Sequence, residues 1–237
     1  MNTSETTPAA GGGSSDDTVA LFTGDSITDA GRRTDPSAHL GAGYVRRIAE
    51  MAAESGKRLY VTNTGVGGDR TSDLLDRFDA DILKVRPNIL TILIGINDMW
   101  RRYDSGASVS AAEFYSNYSR VLTRVRDELD LKRIVIMEPF LVPVKGAQLS
   151  WHVEDLDENI AITRELADRY GATLIPLNEI FVDRAARVGA ASVIDHGVHP
   201  SAGGHELIAQ LWWSSIGEEI PDRKGVEIDR LVPASRN

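Results

Sequence analysis

Residues 88–98 read NILTILIGIND, an almost unbroken apolar run that ends in a glycine, an asparagine and an aspartate. The run has the length of a strand, and its apolar residues do not alternate with polar ones. This pattern is typical of a strand that is buried on both faces of a parallel sheet. Similar runs occupy 18–24, 58–65, 133–140 and 172–179, so we predict a sheet of five strands.

Stretches with helical periodicity separate these runs. Residues 111–129, for example, place Phe114, Tyr118 and Val121 on one face at spacings of three and four. The predicted helices are 43–56, 71–84, 111–129, 154–170 and 201–216. Alternation of strand and helix implies right-handed crossovers. We therefore predict an α/β fold, with a doubly wound (flavodoxin-like) five-stranded parallel sheet and helices on both faces.

The length of 237 residues fits one domain, which we place at 18–220. Residues 1–17 are rich in Gly, Ser, Thr and Asp and are predicted to be a disordered lead-in. Residues 221–237 form a polar tail. That tail, together with the pair Trp212-Trp213 on the last predicted helix, would suit a subunit contact in a homo-oligomer.

Composition excludes several classes of protein. The net charge of -9 and the absence of clustered Lys and Arg argue against nucleic acid as a partner. No segment has the length and apolarity of a membrane span. With no cysteine there can be no disulfide, thiolate zinc site or cysteine nucleophile. The N-terminus lacks the basic start and apolar core of a secretory signal, so we expect a cytoplasmic protein.

In a doubly wound sheet, ligands bind beyond the carboxyl ends of the strands, and three polar or glycine-rich stretches follow strands here. Ser26 follows the first strand, either as a hydroxyl beside free backbone N–H groups or as a helix cap. The glycines of GVGGD (65–69) either let the backbone approach a ligand or form a tight turn. Asn97 either donates to a developing oxyanion or closes an Asx turn.

Three of the five histidines lie in VIDHGVHPSAGGH, residues 193–205. His199 could be a catalytic base or a structural histidine. A metal site would need a third convincing ligand, and the spacing of His199 and His205 matches no zinc signature. The chain also lacks the glycine patterns that bind dinucleotides or phosphates, so no metal or cofactor is expected. Taken together, Ser26, the glycine stretch, Asn97 and His199 could supply a nucleophile, oxyanion donors and a base.

The stretches GDSIT, GVGGD, GIND and VHP resemble, in the right order, the four blocks of the SGNH (GDSL) hydrolases. The resemblance implies a three-layer α/β hydrolase in which Ser26 is the nucleophile and His199 is the general base. It also implies an oxyanion hole formed by the N–H groups of Ser26 and Gly68 and by the amide of Asn97.

A narrower resemblance concerns GAGYV (41–45) and GINDMWRRYDSG (95–106), which are similar to bacterial acetyl xylan esterases of this superfamily. It implies that Trp100, Arg101 and Tyr103 line the substrate cleft, where an aromatic ring suits a pyranose. Trp100 could instead be a core or interface residue. The thioesterase and lysophospholipase branches of the superfamily remain open.

The spacing before the histidine departs from the family pattern. That pattern is Asp-x-x-His, but His196 occupies the acid position here and the nearest carboxylate, Asp195, comes four residues before His199. Either the loop carries an extra residue and Asp195 still serves as the acid, which we favour, or His196 has replaced it.

We therefore expect a serine carboxylester hydrolase that removes short acyl groups, acetyl above all, from xylo-oligosaccharides or other carbohydrates. The alternatives are a broad short-chain esterase or thioesterase, a lysophospholipase-type lipid esterase, and a catalytically impaired carbohydrate-binding relative.

Overall fold

The computed structural model describes residues 18–35, 38–107, 109–151 and 155–223. The predicted lead-in of residues 1–17, and the predicted tail beyond residue 223, lie outside the described residues. Within the described ranges, none of the helices combines the length and the apolarity needed to cross a lipid bilayer.

Five strands form one sheet, and every neighbouring pair in it is parallel. They are β1 (Thr18–Gly24), β2 (Leu59–Asn63), β3 (Ile89–Leu93), β4 (Arg133–Met137) and β5 (Thr173–Ile175), in the order β2-β1-β3-β4-β5. The chain moves outward from β1 to β2 and then crosses to β3 on the other side of β1. The predicted doubly wound sheet is confirmed, and its crevice opens between β1 and β3.

Helices cover both faces of the sheet, as predicted. In chain order the described helices are α1 (Ser26–Asp29), α2 (Tyr44–Glu54), α3 (Thr71–Asp76), α4 (Ile96–Asp104), α5 (Ala111–Glu128), α6 (Leu149–Trp151), α7 (Asp157–Arg169), α8 (Leu177–Val188) and α9 (Ala202–Ile216). Two layers of core residues separate the helices from the sheet. One contains apolar residues of α2, α8 and α9, and the other contains those of α3 and α5.

Four of the described helices were not predicted: the short α1 and α6, and the longer α4 and α8, each of which follows a strand with almost no loop. The fifth strand, predicted at 172–179, ends at Ile175, and α8 begins at Leu177. Pro176 lies between them, and its missing N–H cannot donate to a sheet but is no loss at a helix start. The helix α4 begins at Ile96, and its polar sequence INDMWRRYD conceals the helical pattern that apolar spacing would reveal.

The helix predicted at 71–84 is interrupted. Its regular part, α3, ends at Asp76, and residues Asp79–Leu83 form a π-helical turn in which Lys84 N–H donates to Asp79 C=O over 3.1 Å. Phe78 and Ile82 are both fully buried in the core on either side of this change.

The expected subunit contact at Trp212-Trp213 is wrong for Trp212. Its side chain has no exposed surface, and its Nε1–H donates to the hydroxyl of Thr91 in β3 over 2.9 Å. The packing also continues past the predicted boundary at residue 220. Arg58 N–H donates to Pro221 C=O, and Arg223 N–H donates to Gly56 C=O.

Candidate active site

The turn after β1 places Ser26 at the carboxyl edge of the sheet. Gly24 has a φ of +153°, and a Cβ at this position would lie 2.0 Å from the carbonyl oxygen of Leu93 in β3. Only glycine fits here. Asp25 then caps α1, because its Oδ1 accepts the N–H of Ile27 over 2.9 Å. Ser26 is the first residue of α1.

The hydroxyl of Ser26 lies within hydrogen-bonding distance of the imidazole of His199. The distance from Ser26 Oγ to His199 Nε2 is 2.9 Å, although 173 residues separate the two in sequence. A hydroxyl in this position can pass its proton to the ring as the oxygen attacks a carbonyl carbon. The fold therefore brings together the predicted nucleophile and the predicted base.

The glycine-rich turn after β2 lies next to Ser26. A Cβ on Gly67 would lie 3.8 Å from Ser26 Cβ, and the Gly67 N–H donates to Asp29 Oδ2 of α1 over 3.1 Å. Gly68 has a φ of +89°. In the described part of the chain, neither the N–H of Gly68 nor that of Ser26 meets an acceptor, so both are free to bind an oxyanion.

Asn97, in the first turn of α4, is buried beside the same turn. Its Nδ2 donates one hydrogen to Asp69 C=O over 3.0 Å, which orients the amide and leaves its second hydrogen for another acceptor. Gly95, the residue immediately before α4, has a φ of +118°. The chain can therefore turn from β3 directly into the helix that carries Asn97.

Buried carboxyl groups lie behind these residues. Asp98 accepts hydrogen bonds from the N–H and the hydroxyl of Thr71, and burial raises its pKa to about 6. Burial, opposed by the Ile27 N–H and reinforced by the charges of Asp98 and Asp69, raises the pKa of Asp25 to about 7. The Oδ2 of Asp25 has no hydrogen-bond partner in the described part of the chain.

Arg77, which sequence analysis missed, joins the loops that follow β1 and β2. Its Nη2 donates to Gly24 C=O over 3.0 Å, and its Nη1 donates to Thr64 C=O over 2.6 Å. Its Nε donates to Asp69 Oδ2 over 2.6 Å. The two loops held in this way carry the N–H groups of Ser26 and Gly68. No sequence motif indicates this role, because Arg77 contacts two loops that are far apart in sequence.

The predicted acid, Asp195, is near His199 but does not hydrogen-bond to its ring. Asp195 and His196 are both exposed, and among the described hydrogen bonds Asp195 is joined to His199 only through backbone, from its N–H to His199 C=O over 2.9 Å. Burial is the main cause that lowers the pKa of His199, and His196 lowers it further. The charge of Asp195 acts in the opposite direction.

Two of the three predicted substrate residues border the reacting groups. The Trp100 ring meets the His199 ring edge-on, with 5.7 Å between centroids. The Arg101 guanidinium lies 5.6 Å from the centroid of Trp100, and its Nη2 lies 3.3 Å from where a Cβ on Gly68 would stand. Arg101 also pairs with Asp104.

Tyr103 faces a neighbouring group of residues that the sequence did not reveal. Its ring stacks on Trp151 with centroids 4.5 Å apart, and its hydroxyl donates to Asp155 Oδ2 over 2.7 Å. Arg102 donates to the other oxygen of Asp155. Since Trp151 and Asp155 lie about fifty residues beyond α4, only the fold places them beside it.

In the described residues no three His, Cys, Asp or Glu side chains are arranged to hold a metal ion.

Comparison with known proteins agrees with this arrangement. The model of the GDSL-like Lipase/Acylhydrolase family matches residues 22–207, a span that contains the three strand-end blocks and the VHP block of His199. The acetylxylan esterase of Geobacillus stearothermophilus is 28% identical over 207 residues, which cover 84% of this chain and 94% of that protein. Both resemblances predicted from the sequence are confirmed.

Solved structures share the fold. A GDSL-like lipase from Parabacteroides merdae has a TM-score of 0.79 and 29% identity, covering 85% of this chain and 96% of that chain. Axe2, an acetylxylan esterase from Geobacillus stearothermophilus, has a TM-score of 0.74 and 26% identity, covering 84% and 94%. Catalytic mutants of Axe2 replace a serine, an aspartate and a histidine, and its aspartate precedes its histidine by three positions.

Proposed function

This chain belongs to the GDSL-like lipase/acylhydrolase family and is a carboxylic ester hydrolase, and we propose that Ser26 is the nucleophile of its reaction. The observation that carries the proposal is the 2.9 Å distance between Ser26 Oγ and His199 Nε2, beside two N–H groups for which the described residues offer no acceptor. Ser26 Oγ attacks the carbonyl carbon of the ester, and its proton passes to His199 Nε2.

The carbonyl oxygen becomes an oxyanion, which the N–H groups of Ser26 and Gly68 and the free hydrogen of Asn97 Nδ2 stabilise. Removing one such donor typically costs about a hundredfold in rate or more. His199 then gives its proton to the leaving alcohol, and water, activated by the same ring, hydrolyses the acyl-enzyme. Asp195 stabilises the imidazolium through its charge rather than through a hydrogen bond.

For the substrate, we propose O-acetylated xylo-oligosaccharides or other acetylated carbohydrates. Trp100 supports this choice, because an aromatic ring beside the base offers an apolar face to a pyranose ring. Charged side chains of α4, Arg101 and Asp104, lie near the same edge and suit a hydroxylated ligand better than an acyl chain. The resemblance to proteins named acetylxylan esterase supports the same class.

The test compares acetate release from acetylated xylo-oligosaccharides with hydrolysis of p-nitrophenyl acetate, p-nitrophenyl octanoate and acetyl thioesters. We expect the highest kcat/KM for the acetylated sugar, and a loss in Trp100→Ala that is about tenfold greater on the sugar than on p-nitrophenyl acetate. A preference for octanoate would favour a lipid esterase, and a preference for thioesters would favour a thioesterase. Binding of the sugar without turnover would indicate an impaired, carbohydrate-binding relative.

A further inference from the structure

The loop that carries His199 is a narrow hairpin whose shape sets the direction of the imidazole. Ile194 and Pro200 pair across its base, and Asp195 N–H donates to His199 C=O over 2.9 Å. Val198 is buried in the core. Since no carboxylate hydrogen-bonds to the ring among the described contacts, the conformation of this loop positions it together with the ring's contacts to Ser26 and Trp100.

One polar side chain from outside the loop binds its tip. Gln148, at the end of a short 3₁₀ turn (Gly146–Gln148), is only 5% exposed, and its Nε2 donates to His196 C=O over 3.1 Å. Its Oε1 accepts the N–H groups of Val144 and Lys145 over 2.8 and 3.0 Å. The amide thus connects the loop after β4 to the loop of the catalytic base.

The contact is close and lies at the irregular part of the loop. Gly197 has a φ of +89°, and a Cβ there would stand 2.6 Å from Gln148 Nε2, so only glycine allows the approach. Next to it, Val142 N–H donates to Gly197 C=O over 2.9 Å. The bonds from Gln148 and Val142 are thus accepted by the carbonyls of His196 and Gly197, the residues at which the spacing departs from Asp-x-x-His.

We propose that Gln148 is a positioning residue for His199. By holding the carbonyl of His196, it fixes the register of a loop with an extra residue and keeps His199 Nε2 within reach of Ser26 Oγ. It thereby supplies part of the orientation that a hydrogen-bonded acid gives to the base in a complete triad. The inference rests on the proposed role of His199 as the base.

Two variants separate this role from simple support of the fold. Gln148→Glu keeps an oxygen for Val144 and Lys145 N–H but removes the donor to His196 C=O. Gln148→Met is similar in size and removes all three hydrogen bonds. The matched control is Gln210→Glu, the same substitution at an exposed position on α9, where the amide donates to Glu206 Oε1 and has no other hydrogen bond among the described residues.

We would measure kcat, KM and Tm for these variants, the unmodified chain and Ser26→Ala with p-nitrophenyl acetate. Both Gln148 variants should lose between about tenfold and a hundredfold in kcat, since small displacements of reacting groups have effects of this size, while KM stays within about threefold. Gln210→Glu should match the unmodified chain. A merely structural role would lower Tm without this selective loss of kcat.

If Gln148→Glu keeps the kcat of the unmodified chain, the contact with His196 has no catalytic role and the inference is overturned, even where Gln148→Met is impaired. If Ser26→Ala is as active as the unmodified chain, the proposed site itself is wrong and the positioning role falls with it. The two failures are therefore distinguishable in one set of assays.

Discussion

At the scale of single residues, the site differs from a complete triad because no described carboxylate hydrogen-bonds to the ring of His199. The ring is half-buried and its Nε2 faces Ser26, while Asp195 is exposed and makes no hydrogen bond to the ring among the described contacts. A hydrogen-bonded acid fixes the tautomer of the base and can be worth about 10⁴ in kcat. A charge that acts across solvent is worth far less, because water and salt screen it.

This difference predicts modest effects at Asp195. Asp195→Asn should lower kcat/KM on p-nitrophenyl acetate by less than about tenfold, and added salt should reduce the difference. His196→Asp restores the family spacing and removes a neighbour that lowers the pKa of His199, so it should raise kcat/KM about tenfold. Loss of nearly all activity in Asp195→Asn would instead show that Asp195 bonds to the ring during the reaction.

A second prediction concerns the pH dependence of stability through Asp25. Its pKa in the folded chain, about 7, exceeds its ordinary value of 3.8, so the folded chain holds the proton more tightly than the unfolded chain does. Stability therefore falls as pH rises from about 4 to 7 and stays reduced above 7. Asp25→Asn keeps an acceptor for Ile27 N–H but cannot ionise.

Thermal melting of Asp25→Asn and the unmodified chain should give similar Tm values at pH 4. At pH 8 the variant should melt about 4 °C higher or more, as expected for a gain of one or two kcal/mol in a chain of this size. Equal Tm differences at both pH values would contradict a carboxyl that titrates near neutrality.

At the scale of elements, the candidate site depends on how the ends of β1, β2 and β3 are held together. The blocks after these strands could be predicted, because the carboxyl ends of parallel strands meet at one edge and the residues found there are polar or glycine. The contacts that fix them could not. Arg77 and Gln148 reach backbone carbonyls in loops distant in sequence. An arginine within a helical pattern normally marks a solvated face, and Gln148 lies outside the predicted helices.

Arg77 gives the prediction at this scale. A lysine retains the charge beside Asp69 and Asp81, but its single nitrogen cannot reproduce the guanidinium fork that binds both carboxylates and both carbonyls, Gly24 C=O and Thr64 C=O, at the same time. Arg77→Lys should therefore lower kcat about tenfold on p-nitrophenyl acetate, through looser placement of the Ser26 and Gly68 N–H groups, with KM changed by less than about threefold.

The control is Arg124→Lys, in which the arginine also binds two carboxylates, Asp79 and Glu128, but does so on α5 away from the site. It should leave kcat unchanged. A kcat in Arg77→Lys equal to that of the control would mean that other contacts suffice to hold the loops.

At the scale of the whole molecule, the fold could be read from the sequence because each of the five strands is a short apolar run that ends at a glycine, proline or polar residue. The errors came where one element passes directly into the next. The strand β5 passes through Pro176 into α8, and the apolar run hides the boundary. At α4 the boundary is hidden by polar residues instead. These residues line the cleft, so the helix lacks the continuous apolar face that identifies a packing helix.

The buried face of α9 could not be predicted from the sequence. Adjacent tryptophans at 212 and 213 suggest an exposed contact surface, yet α9 turns Trp212 into the core against Thr91 of β3. Which face of a mostly apolar helix meets the sheet is set by the packing of the whole molecule, and α9 is apolar on most of its surface.

The central claim is that this chain hydrolyses esters through Ser26 and His199. The most direct measurement is stoichiometric labelling by an aryl organophosphonate, with peptide mapping by mass spectrometry, on the unmodified chain, Ser26→Ala and His199→Ala. The account predicts one phosphonyl group per chain on Ser26, no labelling in Ser26→Ala, and labelling slowed at least a hundredfold in His199→Ala. Labelling elsewhere in the chain, or at an undiminished rate without His199, would contradict it.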